Sequence, residues 1–450
     1  MVNGLQKGIR EGIAKLNENR KEEEKLEFYN LALGGTNSIQ NLYEVIRHKD
    51  ILRNAELVIT ETNINEVQHH FHPYQKLSYR HIYRYLNWFY QELYFLKTKV
   101  LVLILPYPYD DIRVIDNIHK KLCYQYGLNL VDMQKYYEEY DLVEFGRRVD
   151  GHHQYPRIMC KFGNNLIENI DKYQLPKTLN IKNDNPEFAI CTPKDMELVS
   201  GELQEIPMKN SAFNEITYRI KKDTKLKFPD RFAGFHLVGV HTWNNAFEWK
   251  EDFGMPVGIN RGIYSSLLIV NFQSSLTKEA AFGLSQCIEV QRIMEIDRCS
   301  FIKLNETNHV MEYHIEAFTW IPNAKRLSFC DLISFFLAKG GNFYTEEIDF
   351  EALANEIIEI ESKYNFNYII PDIKLYKEII DEYCKGMDPK KLAPLQTQLQ
   401  QKDQIIQTKT QELTSKNQEL ESKTQELTQT KNQLDSTKQQ LDSKTKELSS

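Results

Sequence analysis

The sequence predicts an α/β domain on a parallel sheet, then a β-sandwich-like domain, then a C-terminal helical tail of heptad repeats. Three observations carry this. Residues 28–175 alternate short apolar runs with segments of helical spacing, the pattern of a parallel sheet covered by helices. Residues 186–330 change to short β-rich runs separated by Asn, Gly and Pro, which fits a largely antiparallel domain. From Leu392 an apolar residue recurs at every seventh position, at Leu399, Ile406, Leu413, Leu420, Leu427, Leu434, Leu441 and Leu448, inside near-copies of KTQELTS.

Taken in order, the chain opens on helical spacing, with Leu5, Ile9, Ile13 and Leu16 on one face. Strands are predicted over 28–33, 56–62, 99–105 and 128–132, and helices near 38–48, 77–96, 111–126 and 155–173. The β-rich runs are 215–219, 235–241, 266–272, 300–303 and 310–320, and helical spacing returns at 331–339, 350–364 and 375–385. The domain boundaries that follow are 1–180, 186–330, a helical segment 331–388 and the tail 389–450. With the recurring residues at d, the a positions are Thr410, Asn417, Thr424, Lys431, Lys438 and Thr445, so only half of the seam is apolar. The tail reads as an oligomerisation or spacer helix.

At 450 residues and 53.1 kDa, with 41% hydrophobic residues, the chain is long enough for more than one core and is not disordered as a whole. Lys and Arg number 56 against 63 Asp and Glu, a net charge of −7 without a basic block, which argues against nucleic acid as a partner. Seven cysteines, none in a C-x-x-C pair, read as reduced thiols. The longest apolar run, 100–105, is too short to span a membrane, and the first residues have no apolar signal core. The expected setting is cytoplasmic, with membrane contact at most peripheral at the inner membrane.

In an open parallel sheet, reacting groups sit in loops at the carboxyl ends of strands. Three loops there carry chemistry. In 30–38 (NLALGGTNS), Gly34 and Gly35 end a predicted strand and let backbone N–H groups face a ligand. In 62–66 (TNINE), Asn63 and Asn65 follow a strand, and either amide can donate to a developing oxyanion. In 150–153 (DGHH), Asp150 lies three residues before His153 and can orient its imidazole for proton transfer.

Together, in this order on a βαβ chain, these loops resemble the SGNH/GDSL hydrolase superfamily over about 28–175, roughly a third of the chain. The resemblance implies a flavodoxin-like parallel sheet, with Gly35 as N–H donor, Asn65 or Asn63 as amide donor, His153 as base and Asp150 as its orienter. NLALGGTNS matches the family's second block, so the nucleophile strand is expected well before Gly35, at or upstream of Met1. Ser38, or Thr36, is the alternative nucleophile. Whether this chain is an enzyme turns on that serine.

Other residues have two readings each. Arg80 and Arg84 can hold an anionic group of a substrate against the aromatic stretch 79–90, or can snorkel from a core helix. His69, His70, His72, His152 and His153 lack a standard ligand spacing, so neither a metal nor a cofactor is expected. Trp243, Trp249 and Trp320 read as a carbohydrate platform or as core.

The architecture also resembles proteins of bacterial capsule and surface-polysaccharide clusters. This implies an SGNH-type esterase or transferase acting on a small substituent, acyl or O-methyl phosphoramidate, of a capsular or other surface polysaccharide, with a polysaccharide or activated sugar as substrate. The alternative is a catalytically inactive glycan-binding or scaffolding protein that forms a homo-oligomer through 392–448.

Overall fold

The architecture is that of a computed structural model, which describes residues 2–72, 75–107, 113–146, 153–210, 213–244, 263–281, 283, 285–313, 325–341, 343, 347–386 and 389–448. Residues to Pro371 form one compact unit, and Asp372–Ser450 form a second.

The first unit begins with helices α1 (Lys7–Asn17), α2 (Ser38–Arg47) and α3 (Lys49–Arg53). Strand β1 (Val58–Glu61) leads into α4 (Asn63–His70) and α5 (Tyr79–Leu96), and β2 (Val100–Ile104) into α6 (Arg113–Tyr126). Strand β3 (Asn129–Asp132) precedes α7 (Met133–Glu139), α8 (Val143–Gly146) and α9 (Pro156–Glu168). The three strands are parallel in the order β1-β2-β3, with Val58 beside Val100 and Leu101 beside Asn129. All five residues of β2 are buried, as a central parallel strand covered on both faces requires. Helix α1 lies so close to α9 that a Cβ on Gly8 would meet the Cys160 carbonyl oxygen at 1.9 Å, which requires glycine there.

The strand predicted at 28–33 is not formed; the segment has no regular structure. Its residues are exposed or half-buried throughout, whereas a parallel strand is buried on both faces. The Asn30 side chain instead accepts from Ala32 N at 3.2 Å, a local turn bond that competes with strand pairing.

The β-rich part comprises β4 (Glu187–Cys191), β5 (Glu197–Ser200), β6 (Gln204–Lys209), β7 (Asn214–Lys221), β8 (Lys225–Lys227) and β9 (His236–Trp243). It continues with β10 (Ile263–Val270), β11 (Ser275–Ala281), β12 (Ser285–Glu289), β13 (Phe301–Leu304), β14 (Lys325–Arg326) and β15 (Phe329–Lys339). One sheet runs β11-β10-β13-β8-β5 and the other β12-β9-β15-β7-β6, with β4 also on β15. Every pairing is antiparallel except the two-residue contact of β14 with β10. Leu267, Ile269 and Ile302 from the first sheet and Val240, Leu332 and Phe335 from the second enter one buried cluster.

The helix expected at 331–339 is therefore a strand, β15, and the most connected one of its sheet. A continuous apolar run such as LISFFLA has no period to separate buried strand from buried helix, and partners on both sides decide it. Of the run expected at 310–320, residues 314–320 lie outside the described residues, and Glu312 forms an isolated bridge to Lys278. Helix α10 is short (Phe350–Asn355), and 356–361 are irregular.

Helix α2 joins the parallel and antiparallel layers. Its cap residue Asn37 donates to Glu289, Gln40 accepts from Cys287 N, Tyr43 bonds His241 Nδ1 at 2.9 Å and Ser334 Oγ at 2.6 Å, and Arg47 holds Glu215 with two bonds of 2.8 Å. The spacing 37, 40, 43, 47 puts all four on one helical face. After β15 the chain returns to the parallel sheet, where Phe366 N donates to Leu130 O and Asp132 N to the Asn367 side chain. The open edge of β3 is thereby covered.

In the second unit, α11 (Ile373–Gly386) precedes α12 (Pro389–Leu448), a helix of 60 residues. Along it Leu399, Ile406, Leu413, Leu420, Leu427, Leu434 and Leu441 are all exposed, between 55% and 72%.

Candidate functional site at the carboxyl edge of the parallel strands

Strand β1 ends at Glu61, and the chain turns straight into α4 through Thr62. Asn63, the first residue of α4, is fully buried: its amide nitrogen donates to Leu105 O (2.9 Å) and Asp116 Oδ1 (3.2 Å), and its oxygen accepts from Leu105 N (3.0 Å). Both amide hydrogens are committed, one to the end of β2 and one to Asp116 of α6. Asn65, in the same turn, is half-buried and has no side-chain hydrogen bond among the described residues.

His153 is exposed, and its neighbour Gln154 donates to the Pro106 carbonyl at 3.1 Å. Asn63 and Gln154 thus hold the consecutive carbonyls of Leu105 and Pro106, just past the carboxyl end of β2. Asp150 and His152 lie outside the described residues, as do Trp249 and Trp320.

Gly35 is in the left-handed region (φ 70°), where glycine is favoured, within a turn that follows irregular chain and not a strand. Its carbonyl meets His69 Nε2 at 3.2 Å, and His69 Nδ1 meets the Asn37 amide nitrogen at 3.0 Å. Those two contacts fix one tautomer, with Nε2 protonated and Nδ1 accepting. His70 Nδ1 bonds the Leu77 carbonyl at 2.8 Å. These histidines tie loops down, and among the described residues no three His, Cys, Asp or Glu converge as a metal-binding group.

Ser38 starts α2. Its backbone N–H donates to Glu66 Oε1 at 2.8 Å, while its hydroxyl, with no exposed surface, has no hydrogen-bond partner among the described residues. Glu66 Oε2 lies 3.6 Å from His119 Nε2, and His119 Nδ1 bonds the Tyr90 hydroxyl. Burial, reinforced by Glu66, pushes the Glu61 carboxyl up to about 7 against the Ile64 N–H. Burial and then Asp132 push Asp116 up to about 8, against Lys120 and the Asn63 bond. Two carboxyls that titrate near neutrality can take and give protons, as acid–base chemistry needs.

Arg80 is exposed. Arg84 is buried, stacked over Tyr85 and Trp88 with its Nη2 on the Tyr85 hydroxyl at 3.3 Å, and its Nε has no hydrogen-bond partner among the described residues. Trp243 is core, packed with Met208 and Ile333.

Glu61, Glu66, Asp116, His119 and Glu289 were not singled out by sequence reasoning. The only signal was the acidic residue on each side of the loop, in ETNINE; an acidic residue's burial leaves no mark on local pattern. Comparison with protein-family models, curated proteins and solved structures finds no match to this chain.

Proposed function

We propose that the chain is a scaffolding protein, inactive at its α/β edge, that self-associates through the tail. One observation carries it: Ser38, the nucleophile candidate among the described residues at that edge, has a wholly buried hydroxyl, and among the described residues no imidazole accepts its proton. A nucleophile needs both access and a base within hydrogen-bond reach. The committed amide of Asn63 adds to this, since neither hydrogen is available to an oxyanion. The β1-β2-β3 order supports a flavodoxin-like, SGNH-type sheet, and the core shared by the two antiparallel sheets supports a β-sandwich-like partner.

A second reading is favoured by the anchoring of Asn63, two residues before Asn65, and of Gln154, next to His153, on adjacent carbonyls beyond β2. It makes the chain an SGNH-type esterase or transferase acting on a small substituent of a surface polysaccharide. The two separate on p-nitrophenyl acetate turnover and labelling by a serine-directed phosphonate. The scaffolding reading expects Met1–Ser450 to match both His153→Ala and Ser38→Ala, with no labelled serine. Turnover that His153→Ala abolishes would reverse the order of the readings.

A further inference from the structure

Deepening the scaffolding reading, on which this rests, we infer that α12 pairs with α12 of a second copy of this chain as a parallel, in-register, two-stranded coiled coil. The juxtaposition is a seven-residue recurrence of exposed apolar side chains along a 60-residue helix of about 90 Å. Seven such residues, from Leu399 to Leu441, average over 60% exposed in a monomer, and a strict seven-residue period directs a helix to another helix. The same stripe on a second copy is its complement.

The a positions are compatible with a seam. Thr410 and Thr424 direct their hydroxyls back to the carbonyls of Ile406 and Leu420, at 2.8 and 2.7 Å. Their donors are satisfied within the helix, which leaves the methyl groups to face the partner. Lys431 and Lys438 at a weaken the distal half.

Orientation follows from charge. Lys402, Lys409, Lys416 and Lys423 occupy g. Antiparallel pairing sets g against g, so Lys416 would meet Lys423 of the other copy. Parallel pairing sets g against the next e, where no like charges meet and Lys416 faces Glu421 of the other copy; the like charges it does bring together, Asp403, Lys431 and Lys438 at a, are fewer than the g lysines, and the long lysine stems can carry their ammonium groups out to solvent. Register follows from Asn417, the one asparagine at an a position between 399 and 448. The near-identical repeats allow a slip of seven with Leu still on Leu, but only the unslipped pairing puts Asn417 against itself, where the two amides hydrogen-bond.

The test uses the full chain with the exposed Cys299 and Cys384 replaced by Ser. Sedimentation at micromolar concentration should give twice the monomer mass. On mild oxidation Thr424→Cys should form a homodisulfide, and a mixture of Thr424→Cys with Lys431→Cys, both of which keep Asn417, should yield homodisulfides with little 424–431 product. A dimer with 424–431 disulfides, or with none, overturns the parallel in-register geometry and leaves scaffolding standing. A mass of three or more chains overturns the two-stranded geometry; a monomer overturns scaffolding as well.

Discussion

Asp116 sits where its charge is disfavoured, enclosed among Asn63, Asp132 and the end of β2, and it keeps its proton up to about pH 8. In an unfolded chain the same group releases it near 4. Between these values the folded state binds more protons, so the group's contribution is complete below the unfolded value and has gone above about pH 8. Asp116→Asn keeps the oxygen that Asn63 bonds and removes the titration. Guanidinium midpoints at pH 5.5 and 8.5 should fall with pH in the parent and fall less in the variant, each pKa unit being worth about 1.4 kcal/mol. Equal slopes would mean that Asp116 is ionised throughout. Ser38 gives a second check at this scale. A buried hydroxyl without a partner costs about 1–3 kcal/mol, so Ser38→Ala should leave stability unchanged or raise it by about 1 kcal/mol. A loss beyond about 1 kcal/mol would show that the hydroxyl is bonded.

Helix α2 is amphipathic in an unusual sense, since the face it turns to the antiparallel sheet is polar. Arg47 and Glu215 are 22% and 12% exposed with two bonds of 2.8 Å, and their coupling should exceed that of a surface pair. A double-mutant cycle of Arg47→Ala and Glu215→Ala, read by urea unfolding, should return about 1–3 kcal/mol. A coupling below about 0.3 kcal/mol would mean that the layers are held by other contacts. Helices α2, α5, α6 and α9 were legible in the sequence because each has helical spacing, and strands β1, β2 and β3 because each is a short apolar run set between such helices. The segments 28–33 and 331–339 were not. Whether an apolar run becomes strand, coil or helix depends on which neighbours are free to pair, and pairing is non-local. At the edge, the loops that carry Asn63 and Gln154 were legible from their place after strands, whereas the enclosure of Ser38 and the neutralised carboxyls follow from packing by α2, α4 and α6.

At the scale of the whole molecule, the two units differ in what holds them. The first has a buried core and polar ties between its layers, while every described side chain of α12 from Thr397 to Lys444 is exposed. A stripe exposed along its described length buries nothing in a single chain; its effect comes through association, which couples stability to concentration. A chain ending at Gly386 should therefore match the full chain in urea midpoint at high dilution, within about 0.5 kcal/mol, while sedimenting as a monomer at every concentration. The full chain's midpoint should rise with concentration, followed by the far-UV signal of α12, and the shortened chain's should not. If the shortened chain unfolds at a clearly lower midpoint at high dilution, the tail stabilises the first unit within a single chain, and its heptads serve the monomer before any partner.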